Sequence, residues 1–337
     1  MHIKLRRKDL TNSKMATIIE QRATSNEPIR VSIAIASYNG EKYILEQLES
    51  IRTQTRFPDE VIIADDCSTD GTFELCEKFI AEHELTGWTV YQNPQNLGIC
   101  ANFRNVLKKC TGDYIFPCDQ DDIWMPDKLE VMIKAMNDNP KINLLTSNYI
   151  AVINGKETLI SLKHLDRDDG EIIQLKLTNS GLSNLRPGCT FCFRRELLDC
   201  FNVMDIPDLW HDALLWKYAI VRDGLFMINR QLIYYVRRGT SQLANLSPSY
   251  RNIDERIRNT HEAEELYVKF LDASDGLKIT PANQKFLCKL MNFSQRRRKM
   301  LTKRNLFLGI LFVMMNLKYY PTLRSALGEI YAMIFIR

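Results

Sequence analysis

Short apolar runs alternate with amphipathic segments between residues 31 and 150, and this alternation constrains the fold more than any other feature. The run VSIAIASYN (31–39) is rich in β-branched and small residues, which is typical of a buried parallel strand. In the following GEKYILEQLESIRTQ, the apolar residues are predicted to fall at helical spacing on one face; they are Ile44, Leu45, Leu48 and Ile51. EVIIADD, WTVYQN and DYIFPC repeat the scheme. The pattern predicts an α/β fold, a doubly wound sheet with helices on both faces.

The second half of the chain is less regular. INLLTSNYIAVINGKETLI predicts a strand and a hairpin turning at 154–155, GCTFCFRRELL a strand entering a helix, and LFMINRQLIYYVRRG a pair of strands. From about residue 250 we expect only helices. These patterns divide the chain into a basic N-terminal arm (1–28), an α/β domain (29–245) and a helical, basic and amphipathic C-terminal region (246–337).

Composition narrows the class of protein. A net charge of +4 over 337 residues gives no reason to expect a nucleic-acid partner. The nine irregularly spaced cysteines are typical of reduced thiols in a cytosolic protein, and we interpret Cys189 and Cys192 as structural thiols because nothing nearby completes a zinc site. The first 28 residues lack the apolar core of a signal peptide, and the longest apolar run (306–315) is too short to span a bilayer.

Three aspartates, Asp119, Asp121 and Asp122, crowd into four positions after the strand DYIFPC. They could solvate a turn, cap a helix or hold a divalent cation. Capping needs only one carboxylate, and Asp127, which follows Pro126, is better placed for it. Ligands of doubly wound sheets bind at the carboxyl ends of strands, and Mg²⁺ and Mn²⁺ prefer oxygen ligands. We therefore favour a divalent cation that bridges to a diphosphate.

The rest of the sequence limits the kind of diphosphate. The chain contains neither a P-loop nor a G-x-G-x-x-G after the first strand, which leaves a nucleotide-sugar as the favoured ligand. Asp65 and Asp66 end the second strand, where a carboxylate can accept the imide N–H of uracil or thymine. The alternative is a helix cap, which Ser68 or Asp70 can supply at the same time.

A third acidic position is Asp212, in WHDALLW. At the start of a helix its charged form is stabilised by the helix dipole, so it is either a cap or a general base that is ionised at neutral pH. His211 beside it is expected to be structural or orienting.

Together these segments resemble the family 2 glycosyltransferases of the GT-A fold, a Rossmann-like mixed sheet, and in particular their bacterial rhamnosyltransferase-like branch. The matching text is VSIAIASYNGEKYILEQLESIRTQT, EVIIADDCSTDGT, NPQNLGICANF, GDYIFPCDQDDIWMPDKLE, GCTFCFRREL and HDALLW, in family order over residues 31–240. The resemblance implies an inverting transferase that moves a sugar such as rhamnose from a dTDP- or UDP-linked donor to a growing cell-surface polysaccharide or lipid-linked glycan.

The resemblance also implies roles for individual residues. Asp119, Asp121 and Asp122 would hold Mg²⁺ or Mn²⁺, and Asp212 would be the catalytic base. The residues implied to bind the donor are Ser37, Tyr38, Asn39, Glu41, Asp65, Asp66, Asn96, Gly98, Asn102, Asp119 and Gln120.

One motif departs from the family. Where members carry Y-R-x-H-G, this chain has YYVRRG, with Arg238 in the place of the histidine. Arginine still binds phosphate but does not titrate near neutrality, which puts a proton shuttle at this position in doubt. Two other functions are alternatives to a glycosyltransferase. One is a non-enzymatic nucleotide-sugar-binding or scaffold subunit. The other is a nucleotidyltransferase, which the loop SYNGEKY fits less well because it is not a Gly-rich basic loop.

The C-terminal region suggests a second kind of partner. No acidic residue occurs between Asp275 and Glu329, whereas RRRK (296–299) precedes the apolar NLFLGILFVMMNL. This composition suits peripheral docking at the cytoplasmic leaflet of the cell membrane and equally suits a helix packed on the α/β domain. We expect a cytoplasmic protein, with the inner face of the membrane as its second location.

Overall fold

The computed structural model describes residues 28–153, 156–158, 167–179, 182–183, 186–204, 206, 209–237, 253–320 and 322–335. Four sequence predictions fall outside these ranges: residues 1–27 of the N-terminal arm, the turn at 154–155, Arg238 and the boundary near residue 245.

Within the described ranges, ten strands form one mixed sheet in the order β3-β2-β1-β4-β9-β6-β10-β5, with β7 beside β6 and β8 beside β10. The strands are β1 (Val31–Ser37), β2 (Glu60–Asp65), β3 (Trp88–Gln92), β4 (Tyr114–Asp119), β5 (Ile123–Trp124), β6 (Leu144–Ile153), β7 (Lys156–Thr158), β8 (Ile172–Gln174), β9 (Phe191–Arg194) and β10 (Leu225–Arg237). Strands β3, β2, β1 and β4 are parallel, and β9 runs antiparallel between β4 and β6. The predicted α/β class and mixed sheet are confirmed.

The helices alternate with the first strands and then dominate the C-terminal region. They are α1 (Ile44–Arg52), α2 (Thr72–Glu82), α3 (Ile99–Lys109), α4 (Lys128–Asp138), α5 (Cys200–Val203), α6 (His211–Val221), α7 (Ile253–Asp272), α8 (Pro281–Lys303), α9 (Leu306–Asn316) and α10 (Leu323–Phe335). No helix in the described ranges has both the length and the apolar character needed to cross a membrane.

Two details differ from the sequence predictions. LFMINRQLIYYVRRG does not form two strands, because β10 continues through irregularities in its pairing with β6 around Gln231. Asp127 occupies the N-cap position of α4, but its side chain makes no capping bond. The carboxylate instead accepts a hydrogen bond from Arg230 at 3.0 Å.

The core lies on both faces of the sheet because side chains alternate along each strand. On β1, Ile33 and Ile35 face the layer of α1, α2 and α4, whereas Ala34 faces α3 and α6. The second layer continues into the C-terminal region, since Phe270 of α7 and Leu287 of α8 belong to the same buried cluster. Helices α7 and α8 are therefore part of the packing that supports α6.

Candidate active site

The acidic turn (residues 119–122) begins at the last residue of β4. Ala36 of β1 pairs with Asp119, and Ser37 pairs with Asp65 at the end of β2. The parallel register thus brings the carboxyl ends of three strands to one edge of the sheet. These ends carry Ser37, Asp65 and Asp119, and the carboxyl ends of strands are where the sequence analysis expected a ligand.

Asp119 and Asp122 lie close together beside Cys189. One ligand atom from each of these three residues lies within 4.8 Å of the others. Burial, followed by the charges of Asp121 and Asp212, raises the pKa of Asp119 to about 7. Burial and the charge of Asp119 raise the pKa of Asp122 well above its usual value. Without a cation, this site destabilises the charged form of its own carboxylates.

Asp122 points into the protein. Its Oδ1 accepts a hydrogen bond from the backbone N–H of Val236 at 3.2 Å, and its Oδ2 has no hydrogen-bond partner among the described residues. Burial raises the pKa of the neighbouring Cys189 thiol, so without a cation this group is protonated. Asp121 is only partly buried.

A lysine is buried beneath the acidic turn. Lys128, at the start of α4, is fully buried, and its ammonium donates to the Cys189 carbonyl at 3.0 Å and lies 4.7 Å from the centre of the Trp124 ring. Burial lowers its pKa to about 8, against the charges of its neighbours, which include Asp122. The turn therefore has an internal counter-charge that the sequence motifs did not reveal.

Asp212 approaches this group through the segment Gly188–Thr190. It lies in the first turn of α6, where its Oδ1 accepts the N–H of Ala213 at 2.6 Å. A Cβ at Gly188 would lie 2.8 Å from the Asp212 Cβ, so only glycine lets the backbone pass this close. The next residue is Cys189, beside Asp119 and Asp122. This segment thus connects the acidic turn to the predicted base.

His211 lies on the buried side of the same helix turn. Its ring stacks on Phe103 with the ring centres 3.9 Å apart. Burial lowers its pKa to about 4, although the charge of Asp212 opposes the shift. The imidazole is therefore neutral at physiological pH, and its predicted structural or orienting role stays a prediction.

The loop after β1 is fixed by the acidic turn and by the loop after β2. Gln120 accepts the N–H of Tyr38 at 2.8 Å and donates to the Tyr38 carbonyl at 3.0 Å. Asn39 has a positive φ of 48°, and its Oδ1 accepts the N–H of Thr69 at 2.9 Å. Tyr38, Asn39 and Glu41 remain exposed. Gln120 thus orders the loop, and the exposed side chains stay available to a ligand.

Asp65 and Asp66 are buried and organise the neighbouring loops. Asp65 accepts hydrogen bonds from the side chains of Ser37, Ser68 and Gln92. Asp66 accepts the backbone N–H groups of Leu97 and Gly98, both at 2.9 Å. Their predicted role in base recognition stays a prediction, and it would use the lone pairs that these bonds leave.

Residues 93–102 form the next wall of the site, and Asp66 holds this segment through its bonds to Leu97 and Gly98. Asn102 is buried and donates to the Ala64 carbonyl at 2.9 Å, whereas Asn96 is exposed and accepts the N–H of Gly98 at 3.0 Å. Gly98 has a φ of +81°, a conformation that favours glycine. Asn102 thus supports the wall from within, and Asn96 faces solvent.

The donor set fits a hard divalent cation. Carboxylate oxygens from Asp119 and Asp122 lie together, and one buried oxygen of Asp122 has no partner among the described residues. Oxygen ligands suit Mg²⁺ and Mn²⁺.

The sequence motifs predicted neither the burial of Lys128 beneath the turn nor the approach of Cys189 to it. A lysine in the first turn of a helix opposes the helix dipole, and this was the available signal for Lys128.

Comparisons with known proteins show the family and the fold. The profile of Glycosyl transferase family 2 matches residues 32–201, half of the chain. The dTDP-rhamnosyl transferase RfbG of Shigella flexneri is 29% identical over 226 residues, which cover 63% of this chain and 75% of RfbG. An uncharacterized protein of Mycobacterium tuberculosis is 39% identical over 113 residues, 33% of this chain and 32% of that protein. The chain thus spans about a third of the length of the first relatives it matches.

Solved structures share the fold. The structure of S. aureus TarS 1-349 in complex with UDP-GlcNAc has a TM-score of 0.60 at 19% identity and covers 90% of this chain and 89% of that chain. The mannosyltransferase PcManGT of Pyrobaculum calidifontis, in complex with GDP-Man and Mn²⁺, has a TM-score of 0.50 at 18% identity and covers 92% and 86%. The fold is therefore that of the GT-A glycosyltransferases.

Proposed function

Because the chain belongs to glycosyl transferase family 2, we propose that it is an inverting, metal-dependent glycosyltransferase. The observation that carries the proposal is the acidic turn, whose residue Asp119 is close enough to Asp212 for the charge of Asp212 to contribute to the raised pKa of Asp119. The name of RfbG supports dTDP-rhamnose as the donor. The complexes of TarS with UDP-GlcNAc and of PcManGT with GDP-Man and Mn²⁺ support a nucleotide-sugar and a divalent cation.

The acidic turn supplies the cation site. Asp119 and Asp121, assisted by Asp122, would hold Mg²⁺ or Mn²⁺. A divalent ion bound there neutralises the charge that builds on the departing diphosphate. Lys128 supports the turn from beneath and limits the repulsion between its carboxylates. The exposed Tyr38, Asn39, Glu41 and Asn96 would line the nucleotide.

Asp212 would act as the general base. Its place in the first turn of α6 stabilises the carboxylate, since the N-terminal end of a helix favours negative charge. It takes the proton of an acceptor hydroxyl, whose oxygen bonds to the anomeric carbon as the bond from that carbon to the diphosphate breaks. Attack from the face opposite the leaving group inverts the anomeric configuration.

The acceptor would be a growing cell-surface polysaccharide or a lipid-linked glycan. A lipid-linked acceptor places the reaction in the cytoplasm at the inner face of the cell membrane. The basic, acid-free segment between Asp275 and Glu329 supports this location.

The test is transfer from dTDP-rhamnose and UDP-sugars by Asp121→Ala and Asp212→Asn, with the exposed Asp138→Asn on α4 as a matched control. We expect losses on the order of 10²–10⁴-fold for the two site variants, because each loses a group that acts in the transition state. The control should retain wild-type activity. Near wild-type transfer by a folded site variant would remove that residue from the mechanism, and an absence of donor hydrolysis by the wild type with Mn²⁺ would favour a scaffold.

A further inference from the structure

Helices α9 and α10 present a broad apolar surface to solvent. Phe307 is 76% exposed, Met315 69% and Leu323 64%. We call this surface the α9–α10 face; its exposed members are Leu306, Phe307, Leu308, Leu311, Met314, Met315, Leu317, Leu323, Leu327, Tyr331 and Ile334. These residues recur at helical spacing, at 307, 311, 314 and 315 on α9 and at 323, 327, 331 and 334 on α10, so each helix has an exposed apolar side. Exposed apolar surface of this kind marks a site of interaction.

The exposure is built into the packing of the two helices. Their opposite sides are buried, with Val313 at 1% and Ala326 at 0% exposure. A Cβ at Gly309 would meet the sulfur of Met333, so α9 and α10 are in direct contact at this point. The apolar side chains therefore stand on a fixed platform.

A buried ionic cluster anchors this platform to α7 and α8. Glu329 of α10 is fully buried and accepts hydrogen bonds from Arg297 and from the hydroxyl of Tyr320, the latter at 2.8 Å. Arg256 of α7 lies 3.7 Å from the same carboxylate. The one acidic residue of α10 is thus turned inward, away from the α9–α10 face.

The charges carried by the segment 276–328, which contains α9 and the start of α10, have one sign. The stretch from 276 to 328 contains eleven lysines and arginines and no acidic residue. Lys299, Lys303, Lys318 and Arg324 are exposed, and the neighbouring Arg304 pairs with Asp254 of α7. A symmetric contact between two copies would oppose these basic groups, which disfavours a dimer through this face.

We propose that the α9–α10 face docks on a membrane leaflet rich in anionic lipid. The apolar side chains enter the boundary between headgroups and acyl chains, and Lys299, Lys303, Lys318 and Arg324 contact lipid phosphates. The inference deepens the membrane location within the proposed function by naming the surface. Lipid binding requires no transfer chemistry, so the two proposals can fail separately.

The test is co-sedimentation of the full chain with vesicles of phosphatidylcholine alone or mixed with phosphatidylglycerol. We expect binding to the mixed vesicles that weakens as salt rises. The triple variant Phe307→Ser/Leu311→Ser/Met314→Ser should lose more than about 100-fold in partition, from the apolar area removed. Phe57→Ser is the matched control because Phe57 is 67% exposed outside the α9–α10 face, and it should bind like the wild type.

A charge variant separates the electrostatic part of the membrane interaction from the apolar part. Lys318→Glu/Arg324→Glu should reduce partition to mixed vesicles by more than about 25-fold, since each basic residue contributes roughly 5-fold. Lys134→Glu, on α4, should have no effect. The altered side chains are exposed, so melting temperatures should stay within about 2 °C of the wild type.

Two results would overturn the proposal. The first is equal vesicle binding by the wild type and the triple variant. The second is a wild type that binds neither kind of vesicle and forms a dimer that the triple variant abolishes. Asp212→Asn should bind vesicles like the wild type, and the triple variant should still hydrolyse the donor in solution, so loss of transfer chemistry cannot be mistaken for loss of docking.

Discussion

The acidic turn and the α9–α10 face depart from ordinary protein architecture in opposite ways. The turn buries charge, with Asp122 1% exposed and Lys128 fully buried beneath it. The face exposes large apolar side chains, with Phe307 76% exposed. Both arrangements cost folding free energy that surrounding groups or a ligand must offset. The difference in chemistry indicates the difference in ligand, a divalent cation with a diphosphate for the turn and a lipid surface for the face.

The largest expected effect separates function from stability at the acidic turn. Asp119→Asn should lower transfer by on the order of 100-fold or more, because one cation ligand is lost. Without metal, the same change should raise the free energy of unfolding by roughly 1–3 kcal/mol, because a carboxylate that burial destabilises becomes neutral. Activity assays and metal-free urea unfolding check the two parts, and reduced stability would contradict the account of the turn.

The second prediction concerns the anchor of the α9–α10 face. Glu329→Gln should lower the free energy of unfolding by about 3–5 kcal/mol, since it leaves Arg297 and Arg256 facing a neutral group. Glu262→Gln, on the exposed side of α7, should change it by less than about 0.5 kcal/mol. Urea unfolding measures both, and equal stabilities would mean that the platform is not held by this cluster.

The third prediction concerns the pH dependence of stability that arises from His211, the neighbour of the candidate base Asp212. The pKa of His211 is lowered from 6.5 to about 4, so below pH 6.5 the unfolded chain binds a proton that the folded chain excludes. Stability should therefore fall as pH drops from about 6.5 to 4, by up to roughly 3 kcal/mol relative to His211→Gln. The exposed His261→Gln is the control and should retain the wild-type profile. Parallel wild-type and His211→Gln profiles would show that His211 titrates normally.

The smallest expected effect tests whether the α9–α10 face contributes to folding. Phe307→Ala should change the free energy of unfolding by less than about 0.5 kcal/mol, whereas Phe270→Ala, in the core, should cost about 3–5 kcal/mol. Chemical denaturation of both variants measures the contrast. A large loss for Phe307→Ala would mean that this side chain packs within the protein.

The sequence predicted features that depend on local periodicity. The strand–helix alternation placed Asp65 and Asp119 at strand ends, and parallel pairing brought those ends together. It did not predict the continuity of β10, because irregular pairing around Gln231 interrupts the strand pattern. Nor did it predict Lys128 beneath the turn or Cys189 beside it, because those contacts join segments about 60 residues apart.

The α9–α10 face shows a different limit. LFLGILFVMM is apolar on all sides, so its pattern could not distinguish a packed helix from one that meets lipid. Only tertiary packing reveals that Val313 faces inward and Phe307 faces solvent. For the site residues, the structure brings Asp212 and the acidic turn together, and their catalytic roles stay predictions.

The most direct test of the central claim is the shift in melting temperature that Mn²⁺ and a nucleotide-sugar produce together in the wild type and in Asp121→Asn. If the acidic turn holds a cation and a diphosphate, the free energy of unfolding of the wild type should rise by about 2.7 kcal/mol at a ligand concentration of 100 Kd. The free energy of unfolding of the variant should rise far less. Equal shifts in the two proteins would contradict the account.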